Sequence, residues 1–137
     1  LQNIWSLESP PFDAYLIRMK AHAAATVLMV TDIERSLRFY LDGLGFEQEF
    51  RFGNYVGLKY GPVQIHLSQI GNPHAKPAGS GSVYLFCDEV DEYHRALTAK
   101  GIQAEAPPRD YDYGMRDFCV LDPDGNRIGF GAETKQE

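Results

Sequence analysis

The chain has 137 residues, 13 of them basic and 19 acidic, for a net charge of −6. That balance argues against nucleic-acid binding, which depends on a basic face, and no apolar run approaches the roughly 20 residues of a membrane-spanning helix. With 44% apolar and 23% charged residues, the composition is that of one globular domain with a real core, so function is to be sought in a folded site.

Residues 1–24 read as a poorly patterned N-terminal extension. Pro10-Pro11 interrupts regular structure, residues 14–20 suit a short helix or a strand, and the basic-then-apolar layout of a signal peptide is missing. Two readings stay open: Met19 is the functional start, or Trp5 and its neighbours cover part of the body. Residues 25–30 then form a short strand. Thr31 and Glu34 match a capping box, with Thr31 as N-cap and Glu34 at N3. The following helix places Ile33, Leu37, Tyr40, Leu41 and Leu44 on one face, and Gly45 stops it. Strands are predicted over residues 46–52, 55–60 and 63–68, with Gly53-Asn54 and Gly61-Pro62 as turns.

Residues 70–81 are rich in Gly, Pro, Ser and Ala and read as a linker. A strand over 82–87 follows. Asp88 is placed to cap a second helix that turns Val90, Tyr93, His94 and Leu97 inward and ends at Gly101. A short strand is predicted over 102–106 and a loop over 107–114. The chain closes on a hairpin, with Phe118, Val120 and Leu121 in one strand and Ile128 and Phe130 alternating in the other. Its turn, Asp122-Pro123-Asp124-Gly125-Asn126, imitates a calcium loop but reads as structural: Arg127 stands where that loop needs glycine, and no glutamate closes it. Cys87 and Cys119 both fall in predicted strands and read as free thiols of a cytoplasmic protein.

The pattern repeats. Asp32-Ile33-Glu34 corresponds to Glu89-Val90-Asp91, and each half reads β-α-β-β-β. The predicted organisation is an extension (1–24), a first module (25–69), a linker (70–81), a second module (82–132) and a tail (133–137). The fold class is α+β. Neither half can cover its own sheet, so pairing the halves is the natural way to bury both apolar faces.

These modules, with VTDIERSLRFYLDGLGF in the first half and GMRDFCVLDPDGNRIGFG at the end, resemble the vicinal-oxygen-chelate superfamily of glyoxalases, extradiol dioxygenases and fosfomycin- and bleomycin-resistance proteins. The resemblance runs from Ala25 to Ala132. It implies a curved, mostly antiparallel eight-stranded cup that holds the ligand. Metal-dependent members take ligands from four strand positions, which fall here on Ala25, His66, Ser82 and Gly129. His66 alone has a ligand-type side chain, and His22, His74 and His94 do not repair the set, so the resemblance implies no metal, no cofactor and no catalytic residue. Tyr113-Gly-Met-Arg-Asp-Phe is similar to the aromatic-Gly-x-Arg-acid-Phe stretch of the bleomycin-resistance branch. That branch implies a homodimer whose interface grooves sequester an aromatic or cationic small molecule, without chemistry.

Strand parity nominates the residues. If Leu28, Val30, Ile65, Leu67, Val83, Leu85, Ile128 and Phe130 face the helices, then Val27, Met29, Gln64, His66, Ser68, Ser82, Tyr84, Phe86, Arg127, Gly129 and Gly131 face the cup. The candidate ligand-binding residues are His66, Gln64, Ser82, Tyr84, Phe86, Tyr111, Tyr113, Met115, Arg127 and Gly129. Each has a plainer counterpart. His66 contacts ligand or simply hydrogen-bonds in a wet cleft. Tyr84 and Phe86 stack on ligand or fill the core. Arg127 binds a carboxylate or pairs with Asp124 in the turn. Tyr111 and Tyr113 form a stacking lid or belong to the core. Asp110, Asp112 and Asp117 supply a negative field or solvate a loop, and Arg116 pairs with one of them. Two rival functions remain: a glyoxalase-like lyase or isomerase using His66 with a metal or as acid–base group, and a protein-interaction module whose cup is filled by Tyr84, Phe86 and Met29.

Overall fold

The computed structural model describes residues 19–69, 71 and 76–135. The readings built on Trp5, on residues 14–18 and on His74 lie outside them. Eight strands and two helices follow in the order β1 (Thr26–Met29), α1 (Ile33–Leu37), β2 (Glu47–Phe52), β3 (Tyr55–Tyr60), β4 (Val63–Ser68), β5 (Ser82–Phe86), α2 (Val90–Ala99), β6 (Arg109–Asp110), β7 (Met115–Leu121) and β8 (Arg127–Glu133). The bounds of β3 and β4 coincide with the predicted ones, because a turn glycine precedes each strand at positive φ.

The strands form two separate four-stranded sheets, ordered β1-β4-β3-β2 and β5-β8-β7-β6. Each has one parallel ladder, β1 with β4 or β5 with β8, and otherwise antiparallel ones. Seven of the eight predicted strands are present and the eighth is replaced by a later one; among the described residues no ladder joins the sheets, and they are not closed into one wall. The predicted parity holds: Leu28, Val30, Ile65, Leu67, Leu85, Ile128 and Phe130 are buried in a single core that both halves share, and Val83 packs against it.

Three local expectations are corrected. The first helix is capped by Asp32, whose Oδ1 accepts from the Arg35 N–H at 3.2 Å. Thr31 is drawn away: its hydroxyl donates to Asp124 Oδ1 across the fold, and Glu34 pairs with Arg51 at 2.6 Å. Beyond Leu37 the helix widens to π geometry over Arg38–Leu44 and ends at Gly45 with φ 93°, the left-handed stop expected of a glycine. The second helix is not capped by Asp88; its N-cap is Glu89, held at φ 53° without a side-chain capping bond. The strand predicted over 102–106 shrinks to a single bridge between Ala104 and Val120. Pro107 and Pro108 cannot donate to a ladder, and the fourth strand of that sheet forms later, at Arg109–Asp110.

The closing turn ties the halves together. Asp122 is buried. Its Oδ1 accepts from the Asp124 and Asn126 N–H groups at 2.9 and 2.8 Å, and its Oδ2 from the Asn126 amide and the Tyr40 hydroxyl, each at 2.9 Å. The Asn126 amide also donates to the Met29 carbonyl at 3.0 Å, and Gly79 N–H reaches the same carbonyl at 3.3 Å. Tyr93 donates to the Leu44 carbonyl at 2.7 Å, so each helix is also keyed to the other. The turn is structural, as predicted, but its role is to lock two modules rather than only to reverse the chain.

One buried group in α1 is not satisfied. Ser36 is fully buried, and among the described residues its Oγ has no hydrogen-bond partner. An orphaned hydroxyl costs about 1–3 kcal/mol of desolvation, and alanine is the better helix former. Ser36→Ala is therefore expected to raise the melting temperature by a few degrees, measurable by calorimetry; a lower value would show that the hydroxyl is bonded.

Candidate functional site

The outer face of the second sheet is built by register. Ser82 lies opposite Arg127, Tyr84 opposite Gly129 and Phe86 opposite Gly131, while Asp117 lies opposite Gly131 and Cys119 opposite Gly129. The glycines have a steric purpose. A Cβ at Gly131 would collide with the Tyr84 hydroxyl, and one at Gly129 would sit 3.0 Å from its ring. The missing side chains make the bed on which Tyr84 lies across β8 to reach β7. There its hydroxyl donates to Asp117 Oδ2 at 2.9 Å.

Tyr113 arrives at the same oxygen from the loop before β7, donating at 2.6 Å. Its ring stacks on Tyr111, with centroids 5.2 Å apart and planes 7° from parallel, and the Arg109 guanidinium sits 4.3 Å from the Tyr111 centroid. The loop is pinned by Gly114 N–H to the Tyr111 carbonyl and Thr134 N–H to the Gly114 carbonyl, both at 3.0 Å. A cavity of about 400 Å³ opens here, lined by Tyr111, Tyr113, Asp117, Cys119, Glu105 and Arg127 among others. Burial and the bond to Asp117 raise the Tyr84 phenol well above its ordinary range, and the bond to Asp117 pushes Tyr113 up to about 12. Burial raises the Cys119 thiol, so it is not an activated nucleophile.

Tyr84, Tyr111, Tyr113, Gly129 and Arg127 thus come together, but the partner of Arg127 differs from the turn pair considered for it. Arg127 binds Glu105 with two bonds of 2.9 Å, and Asp124 is engaged by Thr31 and Arg35 instead. Arg116 pairs with Asp110 at 3.2 Å, as anticipated, and more closely with Asp91 on α2, at 2.8 Å. Hydrogen bonding from Arg116 lowers the Asp91 carboxyl below its usual value. Phe86 and Met115 line a different, larger hollow of about 1050 Å³ at the start of α2, rimmed by Asp88, Glu89, Glu92 and Glu133. Ser82 is exposed on the edge strand β5.

His66 and Gln64 lie on the first sheet, among residues the strand pattern did not single out. His66 Nδ1 is 2.8 Å from the Tyr55 hydroxyl, and the Phe50 ring meets the imidazole edge-on at 5.1 Å. Phe50 lies over Gly57, where a Cβ would overlap its ring. The available signal was the alternation Phe50-Arg51-Phe52 facing Tyr55 and Gly57 across the hairpin. Gln64 donates to Glu49 at 3.2 Å. The hydrogen bonds and ring contacts described for these residues stay within the first sheet.

The superfamily's metal does not fit these positions. Ala25, Ser82 and Gly129 offer no imidazole, thiolate or carboxylate, which leaves His66 as the one ligand-type side chain of the four. Among the described residues no group of three or more His, Cys, Asp or Glu side chains is placed to hold a metal ion. No described helix is long and apolar enough to cross a membrane.

Comparison with known proteins agrees with this architecture. Residues 21–130 match the family profile of the Glyoxalase/Bleomycin resistance protein/Dioxygenase superfamily. A bleomycin resistance protein of Geobacillus stearothermophilus is 28% identical over 124 residues, covering 79% of this chain and 94% of its own length. In fold, the chain is similar to a glyoxalase/bleomycin resistance protein/dioxygenase from Nocardioides, with a TM-score of 0.74 and 22% identity over 92% of each chain. It is also similar to a lactoylglutathione lyase of Agrobacterium tumefaciens, with a TM-score of 0.68 and 24% identity over 84% of this chain and 96% of that one.

Proposed function

The chain belongs to the glyoxalase/bleomycin resistance protein/dioxygenase superfamily, and from that membership we propose a small-molecule binding protein of the bleomycin-resistance type. It sequesters an aromatic or cationic compound and makes or breaks no bond. The observation that carries this reading is the parallel Tyr111–Tyr113 pair beside an open cavity and above the Asp117 carboxylate. Flat rings stack on such a pair, and a cation gains from both the ring faces and the nearby charge. The relatives named bleomycin resistance protein support a binding role.

A second copy completes the groove in this reading. Each sheet leaves one face open within a single chain, and large rings stand on both: Phe52 is 76% exposed on the first and Phe86 79% exposed on the second. Exposed aromatic faces of this kind mark association surfaces, and a homodimer would set one against another. The half-buried free thiols Cys87 and Cys119 suit a reducing cytoplasm.

Calorimetric titration with metal-free bleomycin tests the reading. The expected result is saturable heat at about one equivalent per chain, with Tyr113→Ala weakening binding by tenfold or more, about 1.4 kcal/mol. Absence of heat from bleomycin and from a panel of flat cations at saturating concentration overturns it.

A further inference from the structure

We propose that Asp117 is the specificity-determining residue of this face: one carboxylate fixes the rings of Tyr84 and Tyr113 and selects planar cations over neutral molecules of the same shape. The inference rests on the binding-protein reading above and adds to it the charge class of the ligand and the residue that sets it.

Asp117 is only 5% exposed, yet no ion pair reaches it among the described residues. The cations around it are engaged elsewhere. Arg127 is held by Glu105, and Arg116, its neighbour in sequence, by Asp91 and Asp110. Arg109 lies opposite Asp117 in the ladder but turns its guanidinium onto the Tyr111 ring. What Asp117 has instead is two phenols on one oxygen, at 2.9 and 2.6 Å. Phenols hydrogen-bond a carboxylate without neutralising it. A desolvated charge without a counterion is costly to maintain, and this one lines the cavity that the tyrosines frame.

The same bonds account for the order of the rings. Tyr113 is exposed, and a surface tyrosine loses rotamer freedom when it is held parallel to a neighbour. The anchor at its hydroxyl offsets that loss before a ligand arrives, which is how preorganisation raises affinity. Tyr84 is held from the other side, by its glycine bed and the same oxygen. A cation stacked on this face would meet the ring faces and the uncompensated carboxylate together; a neutral isostere meets only the rings.

The test uses full-length wild type, Asp117→Asn and Tyr113→Phe, with proflavine as planar cation and acridone as its neutral counterpart, read by fluorescence titration. Wild type is expected to favour proflavine by about thirtyfold, roughly 2 kcal/mol. Asp117→Asn should bring the two affinities within about threefold. Tyr113→Phe, which leaves the ring and removes only the anchor, should weaken both by a similar factor and leave the preference. An unchanged preference in Asp117→Asn overturns the proposal. A second readout needs no ligand: tyrosinate absorbance on titration with base. The hydrogen bond to Asp117 pushes the Tyr113 phenol up to about 12, so its titration is expected at high pH in wild type and closer to the ordinary value of about 10 in Asp117→Asn. If it does not move, Asp117 does not position the ring. If neither probe nor bleomycin binds wild type while the titration shifts as expected, the binding-protein reading fails, and the assignment of a ligand charge class goes with it.

Discussion

Asp122→Ala is expected to lower the melting temperature by about 10 °C or more, the largest loss foreseen for any single side chain of this protein. The carboxylate is the shared acceptor for two backbone N–H groups, the Asn126 amide and the Tyr40 hydroxyl. Tyr40 and Asn126 are both fully buried, so water does not readily replace what alanine removes. Each buried donor left unsatisfied costs about 1–3 kcal/mol, and partial relaxation of the turn brings the sum to roughly 3–5 kcal/mol. For a chain of this size that is about 10–20 °C. Tyr40→Phe removes a single donor and leaves the acceptor three others, so its cost is expected near 1 kcal/mol. Thermal and urea unfolding of the two variants gives the comparison. Were Asp122→Ala to melt within about 3 °C of wild type, the turn would not be the lock described here.

Gly79→Ala ranks second. Gly79 adopts φ +82°, and a Cβ there would collide with the carbonyl oxygen of Asp124. The left-handed conformation costs a non-glycine residue about 1–2 kcal/mol. The collision adds more, because its partner is backbone in the turn just described and cannot swing aside as a side chain would. The expected total is roughly 3 kcal/mol. Gly61→Ala is the control. Its φ is +56° and nothing lies within 4 Å of its Cβ, so it should show the conformational cost alone, about 1 kcal/mol. The difference in urea midpoint at constant m-value isolates the close approach of the linker to the turn. Equal losses in the two variants would mean that this approach does not constrain the fold.

What the sequence made legible were features with a local or periodic cause. Gly45 ends the first helix because a left-handed residue was needed there, and β3 and β4 begin where turn glycines release them. Alternation of Ile65, Leu67 and Ile128 with polar or small neighbours fixed which side of each sheet is core. What escaped was decided by partners far along the chain. Thr31 has the chemistry of an N-cap, but Asp124, 93 residues later, takes its hydroxyl, and Asp32 inherits the role. Arg127 stands near Asp124 in sequence and binds Glu105 across the sheet. Of the candidate site, parity alone puts Tyr84, Gly129 and Gly131 on one face, where the register sets them side by side, and Tyr113 reaches it from the loop. Asp117 entered only as one of several acidic residues, since nothing local distinguishes a carboxylate that two phenols will converge on from one that faces water. Phe50 and Tyr55 were passed over because their hairpin reads as ordinary strand until Gly57 is seen to make room for a ring.

The lock between the modules also sets a timetable. Its bonds join residues 82, 93 and 97 positions apart, so they cannot form until the chain has been made as far as residues 122–126. At roughly 5–20 residues per second of synthesis, the first module waits several seconds with the Tyr40 hydroxyl and the Met29 carbonyl lacking their partners. During that interval its aromatic strands have no finished core behind them. Long-range closure of this kind slows folding relative to a helical bundle of the same length. A ribosome that stops before residue 122 releases a chain whose first repeat is complete in sequence but has no second half to close on.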